Sequence, residues 1–246
     1  MREAQQILIT GISSEIGSVL AKELTRDPGV RMIATMRSKR PPGFNPGKHI
    51  HITDQCDLTL PECCDRVAET VDRRFRGPFG LVHSVGDFWY HVPFLEFGPE
   101  QAKQMFESHV ITFYNILQAL VPVMKKKGGA SVIAFSCNSG RYNYPWMASF
   151  TASKIAVDSL VRSLANEFAG DGLRFNSLVL SSVKTKKTRR SKPHGDFTHF
   201  IPPKDLVPVV RFLLSREAYL VNGNAISLFR HSSQFYNKGY FQRIAK

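Results

Sequence analysis

The chain has 246 residues, 43% of them hydrophobic, which suffices for one α/β domain with a well-buried core. Lys and Arg number 33 against 20 Asp and Glu, and the net charge of +13 favours anionic ligands or partners through the overall field. No apolar run nears the roughly 20 residues of a membrane span, and "MREAQQ" lacks the charged-then-apolar order of a secretory signal, so a cytoplasmic protein is expected. Four cysteines, at 56, 63, 64 and 137, include an adjacent pair and no C-x-x-C, a pattern that suggests neither a disulfide framework nor a zinc site.

In chain order, "QILIT" at 6–10 opens as a strand and leads through a glycine turn into a helix over 15–26. "RMIATM" at 31–36 and "HIHIT" at 49–53 read as the next strands, followed by a helix over 60–75 and the strand "GLVHSV" at 80–85. A long helix is expected over 99–126, then "ASVIAFS" at 130–136, a helix over 151–168, and "RFNSLVL" at 174–180. Residues 183–203 show no regular periodicity and read as a functional or disordered loop. A helix over 203–215, the strand "AISLF" and a tail at about 229–246, aromatic and basic, complete the chain.

Strands alternating with helix-length segments argue for parallel βαβ units with helices on both faces of the sheet. The segments "VITFYNILQALVPVM" and "IAVDSLVRSLANEF" carry apolar residues around more of their circumference than one core face requires. Either a neighbouring subunit or a wide intramolecular contact accounts for that excess. Basic residues gather at 183–192, with Lys184, Lys186, Lys187, Arg189, Arg190 and Lys192, and again at Lys125, Lys126 and Lys127. Solvated loops explain such clusters, and no nucleic-acid recognition module accompanies them.

In "ILITGISSEIGSVLAKEL", Gly11 follows the first strand and Gly17 falls in the first turn of the next helix. Glycine allows close backbone approach there, and the helix N-terminus offers unpaired N–H groups to a pyrophosphate. Ser13 and Ser14 add hydroxyl donors, and Ile16 stands beside Gly17. The second strand ends "ATMRSKR", without an acid for a ribose 2′-hydroxyl but with Arg37 and Ser38 for a 2′-phosphate, so NADP(H) is favoured over NAD(H).

The ordered run of these features resembles the short-chain dehydrogenase/reductase family over nearly the whole chain. The resemblance implies a Rossmann-type, doubly wound, mostly parallel seven-stranded sheet in a single domain, with a lid-like insert at about 183–203. The family pattern TGxxxGxG falls on Thr10, Gly11 and Gly17, with Glu15 where its middle glycine would be. Asp57 with Leu58 in "CDLT" matches the adenine-contacting pair, and Gly86 in "HSVG" survives from "NNAG". Val183 and Thr185 resemble the residues that contact the nicotinamide carboxamide.

Hydride transfer in this family relies on a tyrosine acid, a lysine that lowers its pKa and holds the nicotinamide ribose, a serine, and an asparagine supporting a relay water. Lys154 matches the lysine; the tyrosine position is Phe150, the serine position Cys137 and the asparagine position His109. Phenylalanine has no proton to give, cysteine is a weak donor, and a lone histidine on an apolar helix is most often a core residue. Tyr144 is the displaced hydroxyl nearest in sequence, against an aromatic lining role. The expectation is a divergent, NADP(H)-binding member with ordinary carbonyl reduction impaired. The alternative is an active NADPH-dependent enzyme with another proton donor, acting on an acidic, carrier-protein- or CoA-linked substrate. The family also implies a homodimer or homotetramer.

Overall fold

A computed structural model describes residues 5–40, 49–87, 91–191, 194 and 196–230. The expected tail beyond Arg230 lies outside the described residues, as does Lys192 of the basic segment. Seven strands form one sheet, β1 (Gln5–Thr10), β2 (Val30–Thr35), β3 (Ile50–Thr53), β4 (Phe79–His83), β5 (Ala130–Cys137), β6 (Leu173–Leu180) and β7 (Ala225–Leu228). Their order is β3-β2-β1-β4-β5-β6-β7, and every neighbouring pair is parallel.

Near-continuous apolar strands such as β4, buried at every position, require cover on both faces. On one face α2 (Pro61–Arg74) and a later pair of long helices bury Phe75, Phe113 and Phe175 against the sheet. On the other, α1 (Glu15–Leu24) packs Leu20 and Leu24 with Val210 and Leu213 from a helix near the C-terminus. Cys56, Cys63 and Cys64 are buried free thiols, and burial pushes Cys56 and Cys64 up to about 12, which makes these two inert filling.

Strand order reverses between β1 and β4, so the loops leaving their C-terminal ends splay apart and leave a crevice there. Thr10 pairs with His83 and Cys137 with Leu180 at that edge, which brings four strand ends to one rim.

Three expected elements differ. The single helix over 99–126 is α3 (Pro99–Phe106) and α4 (Thr112–Lys126), joined by a π turn at Glu107–Ile111. That wider turn swings His109 inward. The helix expected from 151 starts three residues earlier: after α5 (Ser139–Tyr142), α6 runs Ala148–Glu167, so Phe150 lies one turn before Lys154 on the same helix. The segment expected to be structureless contains α7 (Lys186–Ser191), whose first turn is closed by Thr185 Oγ1 accepting from Thr188 N at 3.1 Å, and a parallel bridge between Val183 and Ile201. The helix expected over 203–215 is α8 (Val207–Leu214), preceded by a 3-10 turn at Pro203–Leu206.

The lysine cluster at 125–127 is largely neutralised on the surface. Lys125 pairs with Asp171 at 3.0 Å, and Lys126 and Lys127 share Asp72 at 2.7 and 2.9 Å. In the second basic cluster Lys187 makes a long contact to Asp87, 3.8 Å.

Candidate active site

The crevice is a cleft of about 1490 Å³, larger than the 300–1000 Å³ or so typical of small-ligand sites and roomy enough for a dinucleotide with a second molecule. Its phosphate end is built by the turn after β1. Ser14 caps α1, its Oγ accepting from Gly17 N at 2.9 Å. Gly11 has φ +78°, and a Cβ there would meet Ser84 O at 2.9 Å; at Gly17 it would meet Gly11 O at 2.5 Å. Ser84 donates to Thr10 O at 2.8 Å and ties β4 to this turn. Gly11, Ser13, Ser14 and Ile16 line the cleft, while Gly17 is buried behind them.

Glu15 does not stand free over the turn. Its Oε2 accepts from Lys186 N at 2.6 Å, joining the start of α1 to α7. Arg37 is exposed and reaches the cleft; Ser38 is exposed beyond its lining. Asp57 and Leu58 line the cleft at the end of β3's following loop, with Asp57 Oδ1 holding Thr59 through its N–H at 3.0 Å and its hydroxyl at 2.8 Å. Asn115, on α4, donates to the carbonyls of Leu58 and Thr59 and fixes that loop.

At the far end, Phe150, Lys154, His109, Cys137 and Tyr144 all line the same cleft. Lys154 Nζ donates to Phe135 O at 3.1 Å and lies 5.8 Å from the centre of the Phe150 ring. Burial lowers its pKa to about 8, with Cys137 and Asp158 acting in the opposite sense. The face of an aromatic ring therefore stands one helical turn from this lysine.

His109 is fully committed. Its Nε2 lies 2.7 Å from Asp87 O, a group that only accepts, so this nitrogen carries a proton. Its Nδ1 lies 2.8 Å from Ser153 Oγ, a hydroxyl that also donates to the Phe150 carbonyl at 2.8 Å. Burial, then the Lys154 charge, hold its pKa at about 2 against the Asp87 bond, so at neutral pH the ring is uncharged and its one proton is engaged by the Asp87 carbonyl. Gly86 permits this position: a Cβ there would meet His109 Cδ2 at 2.6 Å.

Cys137 is half-buried and its Sγ lies 3.6 Å from Asn138 Oδ1. Asn138 Nδ2 in turn donates to the Tyr144 hydroxyl at 3.4 Å, and Tyr144 packs with Met105, Met147 and Phe150. Val183 and Thr185 line the cleft beside Ser181, whose buried Oγ has no hydrogen-bond partner among the described residues. A nicotinamide carboxamide presents the donor and acceptor that such a hydroxyl lacks, so the residues here fit the cofactor.

His83, at the "NNAG" position, is a core residue. Thr10 Oγ1 lies 2.8 Å from its Nδ1 and Thr112 Oγ1 3.4 Å from its Nε2, and burial lowers its pKa to about 3. Sequence reasoning missed Ser84, Asn115, Ser153 and Ser181. Only Ser84 carried a local signal, its place two residues before Gly86.

Residues 5–195 match the family described as short chain dehydrogenase. A dehydrogenase/reductase SDR family member 4 from Mus musculus is 24% identical over 234 residues, 89% of this chain and 84% of that protein. Gluconate 5-dehydrogenase of Gluconobacter oxydans is also 24% identical, over 89% of this chain and 91% of its own. Among solved structures, a form of ElxO with one tyrosine replaced by phenylalanine and with NADPH bound superposes with TM-score 0.82 at 21% identity, covering 91% of this chain and 96% of that one.

Proposed function

The chain belongs to the short chain dehydrogenase family, and from that membership we propose that it binds NADP(H) while ordinary carbonyl reduction is impaired or lost. The cofactor's chemistry is hydride transfer, and the turn at Gly11–Ser14, Asp57, Lys154 and Ser181 would hold it. Arg37 at the end of β2 supports the 2′-phosphate form. NADPH and NADP occur in solved relatives, including the tyrosine-to-phenylalanine form of ElxO, in keeping with a dinucleotide site that persists beside such a replacement.

The observation that carries the proposal is Phe150, buried one helical turn from Lys154, with the fully bonded His109 edge-on to its ring at 5.4 Å. Neither residue can hand a proton to a developing alkoxide, and the absence of a positioned acid costs about 10²- to 10⁴-fold in rate. Titrating the protein with NADPH by fluorescence and then offering a panel of ketones tests both halves. Saturable binding without turnover supports the proposal; brisk turnover, or no binding, refutes the corresponding half.

A second reading is favoured by Tyr144, whose hydroxyl stands in the same cleft and accepts from Asn138. With Tyr144 as acid, the protein would be an active NADPH-dependent oxidoreductase on an acidic, carrier-protein- or CoA-linked substrate, drawn by the basic residues of α7. Turnover that survives Tyr144→Phe removes this reading. We further propose a cytoplasmic homodimer or homotetramer formed through the exposed apolar residues Phe106, Ile111, Tyr114 and Ile155 of α3, the π turn, α4 and α6. Light scattering that shows a monomer at micromolar concentration would contradict it.

A further inference from the structure

We infer that Lys154 is an amine nucleophile, and that the cleft captures small apolar aldehydes and ketones as a reversible Schiff base on its Nζ. The inference rests on the reading of Phe150 as a lost proton donor: a lysine with no hydroxyl to serve is left facing the space where a carbonyl would bind.

Four observations converge on it. Lys154 is 9% exposed, yet it lines the cleft, so its amine is shielded from bulk water without being sealed off. No carboxylate lies within ion-pair distance of Nζ among the described residues; the charge is met by the Phe135 carbonyl at 3.1 Å and by the Phe150 ring. Desolvation without a paired anion is the circumstance that converts a lysine ammonium into a nucleophilic amine. The neighbouring wall is apolar, made by Phe150, Met147 and Tyr144, and so matches the hydrocarbon part of such a carbonyl compound.

The chemistry closes on itself. The neutral amine attacks the carbonyl carbon, a C–N bond forms, and the oxygen takes a proton from nitrogen to give a carbinolamine. Loss of the second amine proton with that oxygen releases water and leaves the imine. No oxidant or reductant is consumed, and hydrolysis reverses the sequence.

Lowering of the Lys154 pKa from 10.5 to about 8 raises the neutral fraction at pH 7 by about 300-fold over an ordinary lysine. Lower basicity gives part of this back, so a labelling preference of at least about tenfold over surface lysines is expected.

The test uses the full chain with hexanal and sodium cyanoborohydride, which reduces an imine to a stable secondary amine, followed by intact-mass and peptide mapping. The expected result is one dominant adduct on Lys154, a labelling rate that rises with pH to a midpoint near 8, slowing by NADPH, and loss of that adduct in Lys154→Arg. Labelling spread evenly over surface lysines, or a midpoint near 10.5 on Lys154, overturns the inference. Peptide mapping of the unmodified sequence decides the matter even if the variant fails to fold. NADPH titration is measured separately, so failure of Schiff-base capture and failure of cofactor binding are told apart.

Discussion

On the proposed function, replacing Phe150 with Tyr should raise reductase activity, because the replacement places a phenol on a helix that presents Lys154 one turn later. The Phe150 ring centre lies 5.8 Å from Lys154 Nζ. At an effective dielectric near 20, unit charges at about this separation interact by roughly 3 kcal/mol, which lowers a phenol's pKa from about 10 to about 8. Lys154, with a pKa of about 8, remains mostly an ammonium at pH 7 and supplies that field. A positioned acid gives about 10²- to 10⁴-fold. The low end, about 10²-fold, is expected here, since Cys137 is a weak donor at the serine position and His109 offers no relay. The assay is ketone-dependent NADPH oxidation by Phe150→Tyr beside the parent, with NADPH affinity measured on both. An intact, NADPH-binding Phe150→Tyr protein that is no faster than the parent on any ketone would refute the reasoning.

Adding His109→Asn to Phe150→Tyr should give a further increase of about tenfold in turnover, because the imidazole then no longer occupies the relay position; an unchanged rate would show that His109 does not block the site. Glu15→Ala removes a carboxylate from the phosphate turn and should tighten NADPH by about fivefold, roughly 1 kcal/mol, as read by titration; weaker binding would mean that the bond to Lys186 N serves the cofactor. Stability should fall on acidification. His83 and His109 stay neutral when folded, to about 3 and about 2, but protonate near 6.5 when unfolded. The unfolded chain thus binds more protons below about pH 6.5, and stability drops by about 2.7 kcal/mol per pH unit toward pH 4, as followed by urea unfolding. His83→Gln should halve that slope, and an unaltered slope would contradict the burial argument.

Local relations were legible in the sequence and distant ones were not. The strands could be read because each is a short apolar run between turns, and Phe150 and Lys154 because residues four apart share a helix face. Cys137 and the glycine turn followed from fixed spacing. The π turn escaped, since one added residue leaves the apolar pattern of 99–126 nearly unchanged. Ser153 meets His109 across 44 residues and Glu15 meets the Lys186 backbone across 171, so neither bond leaves a trace in local pattern. The same holds for Asp72 and Asp171, which neutralise a lysine run that looks free when read as sequence.

The central claim is that the dinucleotide site persists while the proton donor beside Lys154 is gone. Mixing the purified parent protein at high concentration with NADPH and a saturating ketone, and following a single turnover, tests it most directly. The account predicts saturable NADPH binding and slow nicotinamide oxidation without a burst; a rapid, ketone-dependent burst equal to the enzyme concentration would contradict it.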